Sequence, residues 1–427
     1  MKQILTATLK FLLKDYFYDL VYWYLFFRKN HINSPDKKRI VIVNHFFDQD
    51  IEALKIANKD FEFIILDAKI LRYVGVDLFP KEVDKYTVFN SSKVDPYKRR
   101  YKLVMNRFIN KLRKKYDPIA VVSPSDGFFY IRQLVSSLQD HNLPFIVSDK
   151  EGTICPAYFV HYAKYIQDNS PLIADHILVW TQRQKEFWEK TGVDSNKIVV
   201  VGQPRSDFWK QQNRWKSKNE LGIEGLREKN KMILFLTYDP WSYTPEYMIE
   251  KGEMHWDVLR NETDAVIFAY AKANPDIDIV IKAHPQQSDI DLVRQSIVNE
   301  GVTNVFLVTG PDLSNHLIVS ADCIIGFQST ALIESMVTEK PVIYTFWGEA
   351  KDGWSADLIP FHENKGIYIA KSPNELEEYI KTAMLGVPLS DEQKKERHDF
   401  VMEYLSIVDG SSADRTLDAI KDLCKIS

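Results

Sequence analysis

Five short segments put reactive side chains at the ends of apolar runs. Residues 278–285, DIVIKAHP, read as a buried strand that runs into Lys282, His284 and Pro285. A lysine and a histidine at a strand end can donate to phosphate oxygens and stabilise the charge on a departing phosphate in place of a metal ion. A histidine there serves structure as readily, with Pro285 simply turning the chain away. Residues 323–336, CIIGFQSTALIESM, end a strand at Gln328 and set Ser329 and Thr330 in the first turn of a helix. Free N–H groups and the dipole favour phosphate at such an end, and Gln328 and the two hydroxyls add donors. Glu334, about one turn further on, is placed to reach a ribose. Plain N-capping explains the Ser-Thr pair equally well.

The first half of the chain supplies acids. Residues 144–156, PFIVSDKEGTICP, end a strand with Asp149 and Glu151 ahead of Gly152, where a carboxylate could take the proton of an acceptor hydroxyl. The alternative is an acidic turn in which Asp149 caps backbone N–H groups. SPSDGFF, residues 123–129, offers Asp126 in a comparable position, and pattern does not rank the two turns. VNHFFDQD, residues 43–50, adds Asn44 and His45 as acceptor contacts.

Positioning these residues takes a regular scaffold, and the sequence contains one. Six short β-branched runs, at 39–44, 61–67, 119–124, 144–149, 176–181 and 197–202, alternate with helical patterns, and six more follow at 232–237, 278–285, 305–310, 323–328, 341–346 and 366–370. Continuous apolar strands suit parallel sheets covered on both faces. The expected fold is α/β, with two doubly wound Rossmann-like domains facing a central cleft at the carboxyl ends of their strands. The spacing sets an N-terminal aromatic and basic helix at 1–30, an acceptor domain at 31–207, a linker at 208–231, a nucleotide domain at 232–390 and C-terminal helices at 391–427. A dinucleotide-binding pair is disfavoured, because no G-x-G-x-x-G follows a first strand and only 16 glycines occur.

With 427 residues the chain is long enough for two domains. Its 55 basic and 59 acidic residues leave a net charge of -4, too little to recruit nucleic acid. Three widely spaced cysteines argue against a disulfide framework or a Cys-based zinc site. The apolar N-terminus is interrupted by Lys10, Lys14, Asp15 and Asp19, too often for a bilayer span. It suits either a helix packed on the core or one lying in a membrane interface. Residues 98–115 carry nine Lys or Arg and no acid on a helical pattern, as in a solvated face or one that meets anionic lipid. The expected location is cytoplasmic, with attachment to the inner face of the cell membrane as a further option.

Taken in order, these motifs resemble the bacterial surface-polysaccharide glycosyltransferases of the GT-B fold, especially those that use CMP-activated sugars such as sialic acids and Kdo. That group carries an acidic D/E-D/E-G-like motif, an HP motif and a Ser/Thr pair at a helix start. The counterparts are Asp149-Lys150-Glu151-Gly152, His284-Pro285 and Ser329-Thr330. The resemblance implies Asp149 or Glu151 as general base, with His284, Ser329 and Thr330 on the phosphate of CMP. Lys150 departs from the group by separating the two acids. The second half is also similar to CDP-glycerol glycerophosphotransferases, although Phe327 and Gln328 stand where those have aspartate and tyrosine. The expected activity is an inverting, metal-independent glycosyl transfer in surface polysaccharide synthesis, without a cofactor, from a CMP-sugar donor to a glycan or lipid-linked glycan. The alternatives are CDP-glycerol-type transfer, UDP-sugar 2-epimerisation and a non-catalytic, membrane-associated assembly factor.

Overall fold

The computed structural model describes residues 10–241, 254–284, 287–310 and 313–425. All twelve apolar runs are strands. By compactness the chain divides into two units, one of 10–152, 163–207 and 409–425, the other of 153–162 and 208–408. Each is a six-stranded, all-parallel sheet, as the α/β expectation required.

The first unit holds β1 (Lys38–Asn44), β2 (Phe61–Asp67), β3 (Ala120–Ser123), β4 (Phe145–Ser148), β5 (His176–Val179) and β6 (Ile198–Val200), in the order β2-β1-β3-β4-β5-β6. Ile40, Val41, Ile42 and Val43 are all buried, the continuous run of a strand covered on both faces. Each such side chain contributes roughly 1.5–3 kcal/mol by leaving water. The helix Ser412–Leu423 returns to this unit, where the Asp207 carboxylate accepts from the N–H groups of Ser412 and Ala413 at 2.8 and 2.7 Å. That satisfies two orphan donors of the helix start.

The N-terminal segment packs on this core. Tyr18, Tyr22, Phe26 and Phe27 are buried, with the Phe27 and Tyr116 rings stacked 6.0 Å apart. Much of the basic run, now the helix Asp95–Tyr116, holds this segment in place. Arg107 and Lys111 reach Asp19 at 2.9 and 3.2 Å, and Arg100 reaches Asp15 at 2.7 Å. These cations therefore have a structural task, which the bare run of charge did not disclose. Phe11, Tyr16, Trp23 and Tyr24 remain exposed, with the Arg107 guanidinium 5.0 Å over the Tyr16 ring.

The second unit holds β7 (Lys231–Leu236), β8 (Ile277–Lys282), β9 (Val305–Val308), β10 (Cys323–Gly326), β11 (Val342–Thr345) and β12 (Tyr368–Ala370), in the order β12-β11-β10-β7-β8-β9. Its topology reverses between β7 and β10, and α/β sheets bind ligands beside the carboxyl ends of strands at such a reversal. Residues 208–231 lie against this unit, where the Trp209 and Trp215 rings meet at 5.2 Å and Trp215 meets His316 at 5.6 Å. The helix Asp391–Tyr404 opens on a capping box of Ser390 and Gln393.

Candidate active site

In the first unit the sheet order reverses between β1 and β3, and the loops there carry an aromatic and cationic group. His45, after β1, lies 4.5 Å from the Phe128 ring, after β3. Phe46 is exposed at a positive φ of 53°, with the Lys150 ammonium 5.3 Å over its ring. Burial, then Lys150 and Arg72, push the His45 pKa down, so its imidazole is neutral at physiological pH. Lys150 also pairs with Glu151 at 3.3 Å. The lysine that interrupts the acidic motif thus sits between an aromatic ring and the exposed acid.

Asp149 follows β4, and its N–H donates to the Leu178 carbonyl at 2.9 Å. Its carboxylate accepts from the Glu151 N–H at 3.3 Å, the Gln184 amide at 3.4 Å and the Trp188 indole at 3.3 Å. Residual surface remains accessible, but protein crowds the carboxylate, and burial pushes its pKa up to about 7 against the pull of those donors. A carboxylate poised near neutrality is what base catalysis needs. Gln184 also closes the capping box of Thr181 ahead of the helix Gln182–Lys190, so one side chain serves both helix and acid. The T-x-x-Q spacing was visible in the sequence, but its reach to Asp149 was not. No room exists for a side chain at Gly152, where a Cβ would stand 1.9 Å from the Gln184 amide nitrogen.

Two residues expected at the acceptor have other tasks. The Asp126 carboxylate is buried and accepts from the N–H groups of Ile173 and Ala174 at 2.6 and 3.0 Å, which joins distant loops. Asn44 shapes the turn after β1, accepting from the Phe47 N–H at 3.1 Å and donating to Asp48 at 2.7 Å.

In the second unit Lys282 ends β8 with its side chain buried and its ammonium donating to the Ala283 carbonyl at 2.7 Å. His284 is exposed two residues on. Pro285 lies outside the described residues. A polar network that sequence reading missed holds the His284 backbone. Gln287 and His284 exchange bonds, at 3.2 and 3.0 Å, and the Gln287 amide donates to Asp289 at 2.6 Å. Buried Arg260 bonds the Asp264 carboxylate at 3.1 and 3.0 Å and donates to the Tyr238 carbonyl after β7, with Asp289 at 3.9 Å. Ser288 donates its N–H to Asp239 at 2.9 Å, tying the loop after β8 to that after β7.

After β10 the Ser329 hydroxyl caps the helix Thr330–Ser335 by accepting from the Ala331 N–H at 3.2 Å. With only six residues this helix offers a weaker dipole than the sequence suggested. Glu334 is buried rather than presented to a ribose. Gln328 adopts a positive φ of 34°. Its amide donates to the Tyr344 hydroxyl and the Ile359 carbonyl, both at 2.9 Å, and accepts from the Ile359 N–H at 3.0 Å. It is a clamp rather than a phosphate donor, and the strained backbone directly before Ser329 persists because three hydrogen bonds determine it. Phe327 stacks on Tyr344 at 5.5 Å beneath the same turn. Among the described residues no group of His, Cys, Asp and Glu side chains could hold a metal ion, and no helix is long and apolar enough to cross a membrane.

Solved structures share this architecture. The UDP-GlcNAc 2-epimerase from Neisseria meningitidis bound to UDP-GlcNAc superposes with a TM-score of 0.53 at 12% identity over 90% of this chain and 100% of that one. Staphylococcus aureus MnaA with UDP gives 0.54 at 16% identity, covering 92% and 98%. The wall teichoic acid polymerase TagF, in a variant soaked with CDPG, gives 0.51 at 13% identity over 99% and 97%. At these identities the likeness carries the fold alone, and that fold is the α/β, GT-B-like one. Among curated protein sequences none matches significantly. Residues 163–422 match the model of one transferase family across more than half of the chain. By that match this enzyme is a transferase that belongs to the CDP-glycerol:poly(glycerophosphate) glycerophosphotransferase family.

Proposed function

We propose that this protein transfers glycerol phosphate from CDP-glycerol to an acceptor hydroxyl in the synthesis of a cell-surface polymer. The family match over residues 163–422 carries this reading. The acceptor oxygen attacks the glycerol-bearing phosphorus, and the bond from that phosphorus to the bridging oxygen breaks. The bridging oxygen departs with CMP, and the acceptor proton passes to a base. CMP is also what a CMP-sugar would release, so the donor expected from the motifs and the one favoured by the family share a leaving group and differ in the centre attacked.

In this reading Asp149, titrating near neutrality, takes the acceptor proton. Neutral His45, beside Phe46 and Phe128, supplies acceptor contacts. Lys282, His284 and the Ser329–Thr330 turn stabilise the phosphates at the carboxyl ends of β8 and β10. The exposed aromatic edge of residues 10–27, flanked by Lys10, Lys14, Arg28 and Lys29, rests on an anionic membrane surface. Sedimentation with vesicles containing phosphatidylglycerol checks this last point: salt-sensitive binding is expected, and none to any vesicle removes it.

The decisive assay incubates the protein with CDP-glycerol and a glycerol-phosphate-primed acceptor and follows phosphorus by NMR. CMP should appear one for one with glycerol phosphate on the acceptor. Turnover of CMP-sugars with CDP-glycerol untouched would restore glycosyl transfer. Interconversion of UDP-GlcNAc without nucleotide release would identify an epimerase, and failure to bind any nucleotide would leave a non-catalytic assembly factor.

A further inference from the structure

The helix Asp391–Tyr404 turns Lys394, Arg397, His398 and Val401 along one stripe, spaced three and four residues apart. These residues line a cavity of about 220 Å³. That is several times the roughly 30 Å³ one water occupies in the liquid. Lys210 adds another cation to its wall, Met336 and Met402 supply apolar surface, and the acid among the lining residues, Glu339, is paired with Lys394 at 2.9 Å.

Arg397 is the unusual member. It is 2% exposed, and its bonds go to carbonyls: Nε to Gly366 at 2.7 Å, Nη1 to Lys340 at 2.7 Å and to Thr338 at 3.2 Å. Its third nitrogen, Nη2, is buried and has no partner. Burial pushes the guanidinium pKa down only to about 10, so the group remains a cation at neutral pH. A buried donor left unsatisfied is destabilising, and more so on a buried cation whose nearest acid, Glu339, is already paired with Lys394. An oxyanion in the cavity would satisfy both the nitrogen and the charge.

The place in the fold separates this cavity from the donor loops. Gly366 precedes β12, and Thr338 and Lys340 precede β11, so Arg397 ties together the amino ends of these strands. Lys282, His284 and Ser329 lie at the carboxyl ends of β8 and β10. We propose that the second unit carries a separate site for a small oxyanion, a phosphate or carboxylate group, held by Arg397 with Lys394, Lys210 and His398. Its wall at Met336–Thr338 continues directly from the helix that begins at Thr330, so an occupant bears on the far end of that helix.

The test is thermal unfolding of the full chain in inorganic phosphate against chloride at matched ionic strength, with and without CMP. A saturable rise specific to phosphate is expected, retained in CMP and in His284→Ala. Arg397→Met risks unfolding, because it releases two strand starts. The informative variant is therefore the surface pair Lys210→Glu with Lys394→Glu, which should weaken phosphate binding about tenfold or more by reversing two charges. Phosphate acting no better than chloride would overturn the site and leave Nη2 to a water. So would a phosphate effect that the double variant keeps but CMP or His284→Ala removes, which locates the ion at the donor loops and leaves the transferase reading standing. Loss of CMP binding with the phosphate effect intact would sink that reading and spare this one.

Discussion

The indole nitrogen of Trp188 donates to the carboxylate of Asp149 across 3.3 Å, so the candidate base is held by a neutral donor where a cation would have been the commoner choice. An arginine in that position would keep the acid ionised far below neutrality. Indole and amide donors lower the pKa less than burial raises it, and the group titrates at about 7.

Asp149→Asn should lower turnover by roughly 10² or more, and the wild-type rate should rise through pH 7 as the carboxylate ionises. The sign for stability runs the other way. The folded pKa lies above the unfolded one, so between about pH 4 and pH 7 the unfolded chain holds fewer protons and stability falls as pH rises. The asparagine variant should therefore gain stability relative to wild type from pH 5 to pH 8, measured by urea unfolding at each pH. A variant with full activity removes Asp149 from the chemistry.

Replacing Trp188 by phenylalanine keeps the bulk and removes the donor. A hydrogen bond to a charged group contributes about 1.5 kcal/mol, close to one pKa unit. The acid limb of the pH–rate profile should move up by about that amount, while an unmoved limb would assign the limb to another group.

Gly152→Ala drives a methyl into the Gln184 amide, which loses both its place in the capping box and its contact with Asp149. The expected loss of stability is about 1 kcal/mol, with a pH limb displaced in the same direction as in Trp188→Phe. Unchanged stability and profile would show that Gln184 relaxes freely.

His284→Ala and Arg260→Met should fail in different ways. Removing the exposed histidine should lower turnover by roughly 10² and shift the unfolding midpoint far less than Arg260→Met does. Arg260→Met leaves the half-buried Asp264 carboxylate without its partner, which should cost about 1–3 kcal/mol. Equal midpoints for the two variants would contradict the network drawn around the loop after β8.

The twelve strands were legible because a parallel strand covered on both faces must be apolar along its length, as Ile40–Val43 and Met232–Leu236 are, and that is a local property. The turns after them were legible for the same reason, so Asp149, His284 and Ser329 could be located without coordinates. What each polar side chain does after leaving its strand depends on residues far away in sequence. Asp126 accepts from the amides of 173 and 174, Gln328 clamps Tyr344 and Ile359, and Arg397 reaches back to Thr338, Lys340 and Gly366. A buried polar group must find a partner wherever the packed fold supplies one. Burial raises the pKa of both Asp149 and Asp126; their partners separate them, side-chain donors at Asp149 and the backbone amides of 173 and 174 at Asp126, and those partners meet only once the sheets and helices have closed around both.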